Sequence, residues 1–132
     1  KSALLSSKSI DAKCIGVSIL TSINEEESKE IYNQEIPKTV SSMFNLANET
    51  NIDGIVCSPH ELKLAGGFLQ DKIKITPGIR LSSSDSDDQS RVMSPKKAID
   101  LGATYLVIGR PITSHKDVAS AFEKIYQSIN EE

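Results

Sequence analysis

The chain has 132 residues, enough for one domain with a real hydrophobic core. Its 25% charged and 38% apolar residues are ordinary for a soluble globular protein, and a net charge of -3 gives no polyelectrolyte signal. Tryptophan is absent and aromatics are 5%, which argues against a stacking surface for single-stranded nucleic acid; no apolar run approaches a membrane span, and no signal peptide is expected before the first strand.

Residues 1 to 9, "KSALLSSKS", read as the end of a helix or a frayed terminus, and the missing initial Met suggests a piece of something longer. "CIGVSIL", 14 to 20, is a near-continuous apolar run of strand length, of the kind that suits a strand buried on both faces. "NEEESKEIYNQ" is charged and reads as a solvated, partly helical stretch. Pro37 is placed to open a helix at its first position, with Val40, Met43, Phe44 and Ala47 at helical spacing. "DGIVCS", 53 to 58, is a second short strand, followed by a helix from Pro59 to Leu69 that Gly66-Gly67 should end. "IKITPGI", 73 to 79, is a third strand, stopped at Pro77-Gly78. Ser82 to Asp88 are serines and aspartates only, so the segment after Arg80 should be a mobile loop. Ser94 then offers an N-cap, Pro95 an N1 residue and Gly102 a terminating glycine. "TYLVIG" is the fourth strand. "DVASAFEKIYQSI" is a closing amphipathic helix with Val118, Phe122, Ile125 and Ile129 on one stripe.

The pattern is strand then helix, four times over, with strand starts near residues 14, 54, 73 and 105. Parallel strands joined by helices build an open doubly wound sheet or a (β/α)8 barrel. Four units do not close a barrel, so the pattern alone leaves an open four-stranded sheet available.

In either architecture the loops after the carboxyl ends of the strands carry the site. Here these are "LTS", "CSP", "TPGIR" with its long loop, and "IGRP". Gly109-Arg110 combines a backbone position open to close approach with a forked guanidinium donor, the pair a phosphate wants. A plain turn glycine beside a surface cation is the competing reading. Long loops are usually lids or disordered, and Gln89 within "DDQSR" carries an amide able to close over a ligand. Thr21-Ser22 reads as local capping hydroxyls and Asp53 as a turn residue. His60 and His115 lack metal-ligand spacing and read as surface or capping histidines. Cys14 and Cys57 sit in apolar runs and read as buried thiols in a reducing cytosol, not a disulfide.

"LTS", "DGIVCS", "TPGIR", "DDQSRVMSP" and "GATYLVIGRPIT", in this order, resemble the second half of the orotidine 5'-phosphate decarboxylases, from about residue 14 to the end of the chain. The resemblance implies an α/β fold: strands five to eight of a (β/α)8 TIM barrel of the ribulose-phosphate-binding type, with residues 1–132 a single partial domain. It implies conversion of orotidine 5'-monophosphate to uridine 5'-monophosphate and carbon dioxide in de novo pyrimidine synthesis, with neither cofactor nor metal. Carried over residue by residue, Thr21 would lie at the base and ribose. Arg80, Gln89, Gly109 and Arg110 would be the other substrate contacts, with Gln89 and Arg110 on the phosphate and Gly109 offering its N–H. Two positions depart from the common pattern: Asp88 where many members have Gly, and Leu81 where Pro commonly follows "GIR".

The family's catalytic Asp-x-Lys-x-x-Asp motif is absent. Asp11-Ala12-Lys13 is the nearest approach, but Gly16 stands where the closing aspartate belongs, so that stretch reads as the end of a helix before a strand. No catalytic residue is therefore expected in this chain. The resemblance also implies a cytoplasmic homodimer acting on a nucleotide, with no nucleic acid or membrane partner. A half barrel would expose two strand edges, so this one should pair with the missing N-terminal half. Another phosphate-binding-barrel decarboxylase or aldolase, or a non-catalytic phosphate-binding half-barrel, are the alternatives.

Overall fold

The structure, a computed structural model, describes residues 2–81 and 93–130. Four strands, β1 (Ile15–Val17), β2 (Gly54–Val56), β3 (Ile73–Thr76) and β4 (Tyr105–Leu106), form one parallel sheet whose spatial order is the chain order. The register places Val17, Val56, Ile75 and Tyr105 in one row across the sheet, and Ile15, Gly54 and Ile73 in another. Side chains alternate between faces along a strand, so these two rows share a face. The row between them, Gly16, Ile55 and Lys74, points the other way.

The helices are α1 (Ser2–Ser9), α2 (Glu25–Tyr32), α3 (Ile36–Thr50), α4 (Leu62–Phe68), α5 (Pro95–Asp100), α6 (Arg110–Thr113) and α7 (Val118–Asn130), with a 3-10 turn at Pro59–Glu61. Their ends follow from local chemistry. Asn24 and Glu27 form a reciprocal capping box at the start of α2. Asn33 and Asn51 end α2 and α3 in left-handed backbone, which Asn tolerates. Ser94 caps α5, Pro95 takes its first position and Gly102, at φ 96°, follows its end.

The core lies between the sheet and these helices. Val40, Phe44 and Ala47 of α3 meet Ile55 and Cys57 of the β2 region, Leu62 and Ala65 of α4, and Leu69. Phe44 and Phe68 pack as tilted rings 6.4 Å apart. Lys74 is buried on this side as well; its ammonium donates to the carbonyls of Gln70 and Lys72, both at 3.2 Å, which satisfies a charge that burial would otherwise penalise.

Several expectations change on contact with the structure. The strands are not buried on both faces. Val17 and Tyr105, at the edges of the sheet, are 58% and 59% exposed, and Val107 is exposed beside them. Pro37 is the second helical residue, because Glu25 Oε2 accepts the Ile36 N–H at 3.1 Å and so starts α3 one residue earlier. Gly66 and Gly67 do not end α4; they lie on its exposed side while the chain continues to Phe68 and the fully buried Leu69. In α7 the buried residues are Ala121 and Ile125, whereas Val118, Phe122 and Tyr126 form an exposed apolar ridge with the two rings stacked. Asp11 to Cys14 is the exit from α1 before β1, as the sequence suggested.

Candidate functional site

Because every strand runs the same way, the turns after Val17, Val56, Thr76 and Leu106 all lie at one end of the sheet. Thr21, Arg80 and Gly109 sit in those turns, and Arg110 opens the helix after the last of them. Gln89, with Asp88 and the rest of the proposed lid, falls outside the described residues.

After β1 the chain turns tightly. Ser18 donates its N–H to the Val56 carbonyl at 3.0 Å and Ile19 is buried in the core. Ile23 N–H then closes on the Leu20 carbonyl at 3.0 Å, leaving Thr21 exposed at the bend.

After β2, Ser58 opens the 3-10 turn, and Glu61 caps it by returning its carboxylate to the Ser58 N–H at 3.1 Å. The same oxygen, Oε2, accepts from Ser18 Oγ at 3.0 Å. Glu61, Ser18 and Ser58 are all buried. Glu61 was not singled out from the sequence, although "SPHE" carries the Ser-x-x-Glu signature of a capping box. Burial pushes the Cys57 thiol up from 9.0 to about 12, helped by the negative charge of Glu61 and opposed by Lys74 and by a hydrogen bond with Thr76.

After β3, Gly78 takes φ 78°, a left-handed value that favours glycine. The chain then forms a parallel bridge between Ile79 and Met93, with Arg80 N–H donating to the Met93 carbonyl at 3.0 Å and Met93 N–H to the Gly78 carbonyl at 3.3 Å. Ile79 and Met93 are both buried. These bonds hold Gly78 to Arg80 against Met93, with Arg80 half-buried.

After β4, Gly109 precedes α6, and its carbonyl accepts from Ile112 at 2.9 Å and Thr113 at 3.0 Å. A Cβ placed on Gly109 would meet no atom within 4 Å. Its backbone lies at φ -99°, ψ -97°, outside the helix and strand regions, so the open space among the described residues is not its sole reason to lack a side chain. Arg110 is exposed beside it as the first residue of α6, which follows β4, the neighbour of the strand that leads to Arg80.

The remaining candidates have local roles. Asp53 is more than a turn residue: its carboxylate accepts the Cys14 N–H at 2.7 Å and lies 3.8 Å from the Lys13 ammonium. His115 Nδ1 is 3.1 Å from the Asp117 N–H, just ahead of α7, and His60 is exposed. Cys14 and Cys57 are free thiols; Cys57 is buried and Cys14 half-buried. Among the described residues no group of three His, Cys, Asp or Glu could hold a metal ion, and no helix is long and apolar enough to cross a membrane.

Comparison with known proteins fits this arrangement. The chain is 40% identical over 120 residues to an orotidine 5'-phosphate decarboxylase of Dictyoglomus turgidum, covering 89% of this chain and 49% of that protein. It is 44% identical over 117 residues to one of Coxiella burnetii, covering 87% and 50%. The crystal structure of orotidine 5'-phosphate decarboxylase from Lactobacillus acidophilus superposes with a TM-score of 0.73 at 30% identity, over 91% of this chain and 50% of that one. That of Sulfolobus solfataricus, at 17% identity and a TM-score of 0.68, shares the fold. The chain thus spans about half the length of the curated relatives it matches. Residues 1–125 match the sequence profile of one family across nearly the whole chain, and the protein belongs to it: the orotidine 5'-phosphate decarboxylase / HUMPS family.

Proposed function

We propose that this chain is the carboxyl-terminal half, strands five to eight, of an orotidine 5'-monophosphate decarboxylase, a single partial domain that grips the substrate's phosphate. The observation that carries this reading is the clustering of the described contact residues. Thr21, Arg80, Gly109 and Arg110, named together by the resemblance, all fall just after strands, at one end of a parallel sheet. In barrels that end holds the active site, and the phosphate binds after the last two strands.

The division of labour follows from the chemistry. Arg110 supplies a forked donor to the phosphoryl oxygens, and the bare backbone of Gly109 lets one oxygen reach an N–H. Gln89, carried on the segment between Arg80 and Met93, adds an amide. The phosphate is remote from the bond that breaks, so its binding energy serves to order this end of the barrel around the substrate. Thr21 faces the base and ribose. The carbon–carbon bond to the carboxylate breaks, carbon dioxide departs, and the electron pair left on the ring takes a proton. The aspartates and lysine for that step belong to the other half of the barrel, so this chain alone is expected to be inactive.

The exposed row on the sheet supports the pairing. Val17, Tyr105 and Val107 form apolar surface that four further strands would cover, and β1 and β4 are edges with unpaired backbone groups. The intact enzyme is proposed to be a cytosolic homodimer with no metal or cofactor.

The test is turnover. The complete barrel, this chain joined to an amino-terminal half bearing the Asp-x-Lys-x-x-Asp motif, should release carbon dioxide from orotidine 5'-monophosphate. Uridine 5'-monophosphate should compete. A folded complete barrel that turns over a different sugar phosphate and ignores both nucleotides would sink the proposal.

A further inference from the structure

Glu61 does more than its local cap requires. A capping box needs only the bond from the Ser58 N–H back to the carboxylate. Here the same oxygen takes a second donor, Ser18 Oγ, from a residue 43 positions away in the turn after a different strand. The two bonds are 3.0 and 3.1 Å long, and Ser18, Ser58 and Glu61 are each more than nine-tenths buried. A buried carboxylate with two donors on one oxygen has little freedom to move without losing one of them.

What it holds is the start of the turn that bears Thr21. Ser18 is the first residue beyond β1. From there the chain has one buried anchor, Ile19, before the exposed pair Leu20 and Thr21. Beyond the strand ladder, the Ser18 hydroxyl is therefore the side-chain tie that fixes where this turn leaves the sheet.

We propose that Glu61 is a positioning residue for Thr21: through Ser18 Oγ it ties the turn after β1 to the turn after β2 and so sets the place where Thr21 meets the nucleotide's base and ribose. The inference rests on the assignment of Thr21 proposed above. It adds a residue that touches no substrate but determines the geometry of one that does.

A double-mutant cycle on the complete barrel tests it, with uridine 5'-monophosphate as the probe and calorimetry as the readout. Glu61→Ala should weaken binding about ten-fold in the wild-type background but about two-fold or less when Thr21 is already alanine, since coupled residues are non-additive. Glu61→Gln keeps an acceptor oxygen and should lose less than Glu61→Ala. Where Glu61→Ala does not fold, Ser18→Ala carries the same cycle, because it removes only the hydroxyl. An equal loss in both backgrounds overturns the inference and leaves Glu61 a structural cap. If Thr21→Ala by itself binds the nucleotide as tightly as wild type, the assignment of Thr21 falls first and the inference with it.

Discussion

Cys14 and Asp53 exchange two hydrogen bonds across the start of the sheet. The Cys14 N–H donates to Asp53 Oδ2 at 2.7 Å, and the Asp53 N–H donates to the Cys14 carbonyl at 3.0 Å. The pair lies one residue before the register of β1 on β2 begins at Ile15 and Gly54. It takes the place of a further ladder rung and fixes how the two strands enter the sheet. Lys13, 3.8 Å from the other carboxylate oxygen and itself well exposed, adds little by comparison.

Asp53→Ala should therefore destabilise the chain by about 1–3 kcal/mol, the cost of leaving a half-buried N–H without its charged acceptor. Asp53→Asn keeps an acceptor oxygen and should lose less. Urea unfolding of the two variants checks the order, and an Asn variant as damaged as the Ala variant would show that the charge, not the bond, matters.

Gly54 should tolerate no side chain. A Cβ there would lie 2.5 Å from the Ile73 carbonyl oxygen and 2.6 Å from Ile73 Cβ, so β3 itself would have to move. Gly54→Ala should cost about 1–3 kcal/mol or more, as overpacking does when the obstacle is backbone. Thermal unfolding monitored by circular dichroism is the check.

Cys57 makes the fold sensitive to alkali. Its thiol is raised from 9.0 to about 12, so above pH 9 the unfolded chain releases a proton that the native chain keeps. Stability from this group is complete below pH 9 and falls as pH rises towards 12, by about 1.4 kcal/mol per pH unit. Cys57→Ala should flatten that alkaline slope. At pH 8 a thiol reagent should label Cys14 in the native protein well before Cys57.

Gly109 and Arg110 carry the predictions for binding. Gly109→Ala places a methyl group in space that is open among the described residues, and it should obstruct the phosphate. Arg110→Ala removes an exposed side chain and should weaken nucleotide binding by about 10–100-fold, the range for a charge-assisted contact. Arg110→Lys should recover only part of it, because an ammonium lacks the fork. Calorimetry with uridine 5'-monophosphate on the complete barrel measures all three.

Much of this fold was legible because hydrophobic pattern and end signals agree. The runs around Ile15, Ile55, Ile75 and Leu106 mark all four strands, and Ser94, Pro95 and Gly102 frame α5 as their chemistry requires. What escaped the sequence is what depends on a neighbour. Ile36 begins α3 because a carboxylate from α2 claims its N–H, which no local rule reveals. Phe122 reads as core at helical spacing, yet the face it points from is uncovered here. Of the site, Arg80, Gly109 and Arg110 were readable as strand-end residues. Glu61 was not singled out: the sequence offers it only as half of a cap, and its second partner, Ser18, comes from the turn after another strand. Asp53 was hidden for the same reason.

The match between sheet order and chain order bears on how the molecule is made. Each strand pairs with the one synthesised just before it, and the Cys14–Asp53 tie that joins β1 to β2 spans only 39 residues. Loop closure over such distances is entropically modest, and within these four strands none waits on the ribosome for a remote partner. The sheet can thus grow rung by rung as translation proceeds, leaving its two outer strands as the last surfaces to be satisfied.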